Sequence, residues 1–224
     1  MVISLEELCG RLGIEEKTEP EHTALEFSSK EFMEAYDGYA LPATRVIAPP
    51  ICEKLRGAKS AVEIGFGSGF RLLYYALNNP QTHFVAIDND TKVVGNLIKR
   101  MDALGAENIE ILNGDIFAFG FSNFKHAAVI AIDCLLEELP TQFRGKIDYQ
   151  AFLRGSLIYF GKMVDSSQQP SFLASVHYGP WTERHPKKYS ELMKNSGLFT
   201  LESRPFSYEQ QGEKSGAVMF ASCS

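Results

Sequence analysis

No apolar run in the sequence approaches the roughly eighteen residues that a membrane-crossing helix requires, and the longest are of strand length. The start, Met-Val-Ile-Ser-Leu-Glu-Glu, lacks the basic-then-apolar pattern of a secretory signal, so a cytoplasmic location with no membrane partner is expected. Cysteine is scarce: the four residues Cys9, Cys52, Cys134 and Cys223 contain no C-x-x-C pair, which argues against a disulfide framework or a zinc site and for incidental or buried thiols. Basic residues are outnumbered, 22 Lys and Arg against 28 Asp and Glu, for a net charge of -6. Residues 1–50 hold four Lys/Arg against ten Asp/Glu and the remainder is balanced at 18 against 18, so the whole deficit lies at the front. A chain without a basic surplus does not grip phosphate backbones non-specifically; recognition of a specific RNA through a local patch stays open. Internal repeats and low-complexity segments are also missing, and tryptophan occurs once, at Trp181.

What is present, 45% hydrophobic residues over 224 positions, suffices for a full core. The expected organisation is an acidic helical N-terminal extension over 1–50 and one domain over 51–224. Ser4-Leu-Glu-Glu7 is a capping-box pattern opening a short amphipathic helix that ends near Gly13; Glu15 to Glu21 reads as a solvated linker. Ser28-Ser-Lys-Glu31 repeats the pattern and starts a second helix, which Asp37-Gly38 is expected to stop. Beyond it, Pro42, Pro49 and Pro50 predict only short helical pieces, either covering the ligand end of a sheet or packing on its edge.

From Ser60 the pattern becomes regular. Strands are expected at 61–66, 82–88, 108–113, 126–133 and 171–178, and helices at 69–78, 91–104, about 148–163 and 187–195. Two final strands at 198–205 and 215–222 have no helix between them and should pair as an antiparallel hairpin across Phe206 to Lys214. Strands alternating with helices predict an α/β fold: a doubly wound, Rossmann-like, seven-stranded and mostly parallel sheet with a C-terminal antiparallel hairpin.

The chemistry concentrates in Val62-Glu63-Ile-Gly65-Phe66-Gly67-Ser68-Gly69-Phe70, followed further on by Val85-Ala86-Ile87-Asp88. Glycines beyond a strand let the backbone approach a ligand. Their spacing misses the dinucleotide pattern G-x-G-x-x-G, because Phe70 stands where its third glycine belongs. Glu63, two residues before the first glycine, would repel a pyrophosphate but attract an ammonium, so a ligand with a cationic amino-acid end is favoured.

These residues resemble the motif of the class I S-adenosylmethionine-dependent methyltransferases, an acid followed by G-x-G-x-G after the first strand. The resemblance spans roughly 45–224. It implies that Glu63 faces the methionine ammonium and that Gly65, Phe66, Gly67 and Gly69 form the backbone seat. It further implies that Asp88, with Asn89, meets the ribose hydroxyls, and that Asp115 and Ile116 in Asn113-Gly-Asp-Ile116 flank the adenine. S-adenosylmethionine is then the cofactor and S-adenosylhomocysteine the product.

At the end of the fourth strand, Asp133 could orient or deprotonate an acceptor or bond the cofactor. After the fifth, Ser175 to Lys188 holds His177 as a candidate base, with Tyr178, Trp181 and Arg184, and Tyr39 from the front of the chain, as candidate acceptor contacts. The Asp-Cys-Leu-Leu run from Asp133 argues against the adenine-N6 mechanism, whose family motif carries prolines and an aromatic there. Glu63 to Gly69 with Asn79 to Asp88 is also similar to the tRNA guanine-N7 methyltransferases, although Glu137 and Glu138 stand where that family has a basic run and Gln211 where it has an arginine. The acceptor remains open among small molecule, RNA and protein, and a catalytically silent cofactor-binding subunit is the alternative from another class.

Overall fold

In the computed structural model, which describes residues 3–20, 25, 29–116, 125–132, 149–178, 191, 198 and 200–222, β1 (Ser60–Ile64) is an interior strand of a seven-stranded sheet. Its neighbours are β2 (His83–Asp88) on one side and β4 (Ala128–Ala131) on the other, both parallel, with Val62 facing Val85 and Val129 in register. β3 (Ile109–Asn113) and β5 (Phe172–Tyr178) extend the parallel part, and β7 (Glu213–Ser222) and β6 (Thr200–Glu209) close it antiparallel, in the order β3-β2-β1-β4-β5-β7-β6. Near-continuous apolar strands such as Ala-Val-Ile-Ala in β4, buried at every position, are what a sheet covered on both faces demands. Ala61, Phe84, Ala86, Ala128 and Ile130 share one core with α1 (Leu5–Leu12), α2 (Lys30–Lys54), α3 (Phe70–Asn78) and α4 (Thr91–Leu104). Val62, Val85, Val129 and Ala131 pack with Phe160 and Met163 of α5 (Tyr149–Met163) in a second core on the opposite face.

Both N-terminal helices begin on serine caps. Ser4 Oγ accepts from Glu7 N at 3.0 Å, and Ser29 Oγ, one residue later than the pattern suggested, accepts from Phe32 N at 3.0 Å. The largest departure from expectation concerns α2, which neither stops at Asp37-Gly38 nor breaks at its prolines. It runs unbroken through Pro42, Pro49 and Pro50 for 25 residues. Pro42 has no N–H, so it leaves the Gly38 carbonyl without its helical partner, and Lys17 N–H donates to that oxygen at 3.0 Å. Gly38 lacks a Cβ, and one built there would stand 2.1 Å from the Glu15 carbonyl oxygen. Glycine and proline here are complementary parts of a docking seat for residues 15–17. The C-terminal third of α2 is held by burial of Ile47, Ala48 and Ile51 and by a charged ladder to β6, in which Arg204 pairs with Glu53 and Glu202 at 2.8 Å each. Gly38→Ala is therefore expected to undock 15–17 and cost about 2 kcal/mol, the scale of an overpacked contact. Limited proteolysis should then show faster cleavage within residues 15–20, and an unchanged cleavage rate would refute the seat.

The hairpin also differs. The residues expected as a connection, Phe206 to Lys214, are mostly strand: pairing continues from Thr200 opposite Ser222 to Glu209 opposite Glu213, and only 210–212 turn, with Gln211 and Gly212 at φ 49° and 103°. β6 is a sheet edge whose exposed positions alternate with Phe206 and Tyr208, so polar residues there belong to a half-solvated strand. The first strand ends at Ile64 instead of 66 because Gly65 turns left-handed at φ 65°; the fourth is shorter than expected, with His126 bridging to Val164. Cys9 and Cys52 are buried free thiols, and burial pushes the pKa of both up. The expected helix at 187–195, apart from Glu191 and its helical backbone, lies outside the described residues. Among the described residues no helix is long and apolar enough to cross a membrane, and no cluster of His, Cys, Asp and Glu could hold a metal.

Candidate cofactor site

β1 delivers the glycine loop to the carboxyl end of the sheet. Gly65, Gly67 and Gly69 all take left-handed conformations, at φ 65°, 56° and 75°, which only glycine adopts without cost. A Cβ at Gly67 would meet nothing within 4 Å, whereas one at Gly69 would stand 2.6 Å from Leu97 Cδ1 in α4. Gly67 thus presents bare backbone to open space, and Gly69 lets α4 close against the start of α3. Phe66 is buried beneath the loop.

Glu63 is 2% exposed, in register between Ala86 and Ile130, and shares a sheet face with Ala61. A carboxylate taken this far from water suits a cation and opposes a phosphate. Asp88 ends β2. Its Oδ2 accepts from Gly67 N at 3.2 Å and its Oδ1 from Asp90 N at 3.0 Å, so each oxygen retains acceptor capacity for hydroxyl donors. Burial pushes the Asp88 carboxyl up, and the N–H groups of Asp90, Gly67 and Asn89 pull it partly back. Asn89 is exposed beside it. The Asp88 carbonyl accepts from Gly114 N at 2.9 Å and Asn113 Nδ2 at 3.0 Å, which joins the β2 end to the segment carrying Asp115 and Ile116. Asp115 is exposed; Ile116 is buried, and its carbonyl accepts from the Tyr159 hydroxyl at 2.7 Å. Desolvation, then the nearby Asp115 charge, raises the Tyr159 phenol.

A cavity of about 270 Å³ adjoins the loop, walled by Tyr36, Asp37 and Thr44 of α2, Gly65 to Ser68, and Arg71 of α3. The structure brings together Glu63, the three glycines, Phe66, Asp88, Asn89, Asp115 and Ile116 at one end of the sheet. Tyr39 lies one turn beyond Tyr36, with its carbonyl accepting from Gln210 Nε2 at the hairpin tip. His177 and Tyr178 end β5, opposite Ala217 and Gly216. Asp133, Trp181 and Arg184 lie outside the described residues. Sequence reasoning missed Tyr36, Asp37 and Arg71. The only signal was the Asp37-Gly38 pair, which reads as a helix end until the partner of Gly38 is seen.

A seven-stranded sheet of this order, with antiparallel β7 and a left-handed glycine loop after β1, is the fold of the class I S-adenosylmethionine-dependent methyltransferases. Comparison with known proteins agrees. A family described as "putative methyltransferase" matches residues 57–134. The tRNA (guanine-N(7)-)-methyltransferase of Helicobacter hepaticus is 41% identical over 54 residues, 24% of this chain and 14% of that protein. That of Rhizobium johnstonii is 35% identical over 74 residues, 33% of this chain and 29% of the relative, so the match spans less than a third of either curated protein. Among solved structures, the N-terminal domain of EvdMO1 with SAH bound superposes with a TM-score of 0.55 at 17% identity, covering 84% of each chain. A putative RNA methyltransferase from Pyrococcus horikoshii superposes at 0.52 and 11% identity over 100% of both chains.

Proposed function

We propose that the chain binds S-adenosylmethionine at the carboxyl end of β1 and β2 and transfers its methyl group to a nucleophile. The observation that carries this is the conjunction of a buried acid, Glu63, with three left-handed glycines and a ribose-competent carboxylate, Asp88, held to the loop by Gly67 N–H. The residues fit the group: Glu63 would hold the methionine ammonium, bare backbone at Gly67 would receive the chain of the ligand, and Asp115 and Ile116 would flank the base. Arg71, at the cavity wall, would supply a cation for the methionine carboxylate. The cofactor supplies an activated methyl on a sulfonium. The protein's own task is to hold the acceptor in line with it, exclude water and, where the acceptor is protonated, take the proton; Asp133 and His177 are the proposed groups for that last role.

A tRNA guanine is the acceptor that one observation favours: the two curated relatives described above are tRNA (guanine-N(7)-)-methyltransferases. The stretch Tyr208 to Gly212, faintly similar to that family's terminal motif, forms the β6–β7 tip at the ligand end of the sheet, where Gln211 Nε2 donates to the Thr18 carbonyl at 3.3 Å. Incubation with methyl-labelled S-adenosylmethionine and separate tRNA, protein and small-molecule fractions is the test. Label in tRNA, released as 7-methylguanine, supports this acceptor; label elsewhere reassigns it. Binding of S-adenosylhomocysteine with no label in any fraction would leave a silent cofactor-binding subunit, and no binding would refute the cofactor reading.

A further inference from the structure

Ser68, the residue between the second and third glycines, is 6% exposed, and its position is set from two helices. Its hydroxyl donates to Asp37 Oδ1 of α2 and accepts from the N–H of Phe70, the first residue of α3, at 3.3 Å. Arg100 of α4 reaches the same place: its Nη1 donates to Asp37 Oδ2 at 2.7 Å and to the Ser68 carbonyl at 2.9 Å. Asp37 is 3% exposed and the Arg100 side chain 11%, which makes this a buried, charge-neutral cluster joining α2, the glycine loop and α4. The pairs Arg11–Glu7, Lys54–Glu202 and Arg204–Glu53, by contrast, have side chains at least 29% exposed.

We infer that Asp37 and Arg100 are positioning residues that clamp Ser68 by side chain and carbonyl and thereby fix the conformation of the cofactor loop. The inference rests on the proposed cofactor site and adds to it the means by which the site is held. Gly67 and Gly69 are the most permissive residues of the loop, and left-handed glycines on either side give Ser68 no local reason to hold one conformation. A buried carboxylate is costly to leave in place unless its partners are complete. Here the partners are Arg100 and the loop itself, so movement of Ser68 exposes that cost. The energy of the ion pair is thus coupled to the direction of the Gly67 N–H, which bonds Asp88. The clamp also explains why a segment as far forward as α2 belongs to the ligand end: Asp37 reaches the loop from the position next to Tyr36, at the cavity wall.

Three variants test it: Ser68→Ala, Arg100→Lys and Asp37→Asn, with Arg204→Ala as a control that breaks a charged ladder remote from the loop. Two readouts are needed, amide hydrogen exchange of the ligand-free protein and S-adenosylhomocysteine affinity by calorimetry, both well below each variant's melting temperature. Ser68→Ala and Arg100→Lys are expected to speed exchange at residues 65–70 relative to β1 and β2 and to weaken binding about tenfold, the scale of one hydrogen bond to a charged group. Arg100→Lys keeps the charge, but both bonds come from the far guanidinium nitrogen Nη1, which the shorter lysine arm does not replace, so it should not rescue. Because both act through the same loop, the double variant should bind no more weakly than about the worse single. Arg204→Ala should lower melting temperature and leave loop exchange and affinity unchanged. Loop exchange equal to that of the unmodified protein in Ser68→Ala and Arg100→Lys overturns the clamp, whether or not the protein binds the ligand. Absence of heat with the unmodified protein overturns the cofactor reading instead. If Asp37→Asn fails to fold, the Ser68 and Arg100 variants decide the matter.

Discussion

Replacing Asp88 by alanine is expected to weaken binding of S-adenosylmethionine and S-adenosylhomocysteine by about a hundredfold, the effect of losing two hydroxyl-to-carboxylate hydrogen bonds. The truncation also frees Gly67 N and Asp90 N, which both donate to this side chain, so the loop loses an anchor as the ribose loses its acceptors. The sign of the pH dependence comes from burial. Desolvation raises the Asp88 pKa in the ligand-free protein, and hydroxyl donors favour the ionised form. Affinity should therefore fall as pH is lowered through that raised value, and Asp88→Asn should flatten the profile. Stability runs the other way. A carboxyl raised on folding contributes stability that is complete below its unfolded pKa and lost as pH rises through the folded value, so the melting temperature of the unmodified protein relative to Asp88→Asn should fall as pH rises through that range. Calorimetric titration across pH, with melting curves alongside, checks both; wild-type affinity in Asp88→Ala would remove this residue from the site.

Gly69→Ala should destabilise the protein by about 3 kcal/mol, combining left-handed backbone strain of about 1–2 kcal/mol with overpacking of about 1–3 kcal/mol. The added methyl has no room, since its Cβ would stand 2.6 Å from the Cδ1 of Leu97, a fully buried side chain. Gly67→Ala separates strain from space. Nothing lies within 4 Å of its Cβ, so only the strain of about 1–2 kcal/mol applies, yet its methyl would occupy the face proposed for the ligand. The expected pattern is a large fall in urea midpoint for Gly69→Ala, a smaller one for Gly67→Ala, and loss of S-adenosylhomocysteine binding in the latter despite its folded state. Equal midpoints for the two would contradict the packing of α4 on the loop.

The parallel sheet was legible because its signals are local. Val62 to Ile64, Phe84 to Ile87 and Ala128 to Ala131 are buried at every position and, Glu63 apart, apolar, and the helices between them are amphipathic. A strand buried on both faces has to look like this, and few other arrangements do. The same holds for the glycine loop: alternating glycines after a strand are needed only where the backbone turns left-handed, and Glu63 suggested the charge of the ligand proposed for it. The edge strand β6 was half-legible, since one face is wet and its Ser207 and Glu209 read as turn residues.

Sequence alone determined the alternation of strands and helices from β1 to β5 and the glycine loop between β1 and α3, because each depends on its own few neighbours, and it singled out Glu63, Gly65, Gly67, Gly69 and Asp88 for the proposed cofactor. Tertiary structure decided the fate of the Gly38–Pro42 stretch and the role of the front of the chain. Gly38 and Pro42 read as helix breakers until the Lys17 N–H is found on the Gly38 carbonyl, and Asp37 reads as part of a stop signal until Ser68 and Arg100 meet it. Those partners come from segments distant in sequence. A buried hydrogen bond or ion pair leaves no trace in either partner's local pattern, and so only the packing of α2 on the loop and α4 could reveal it.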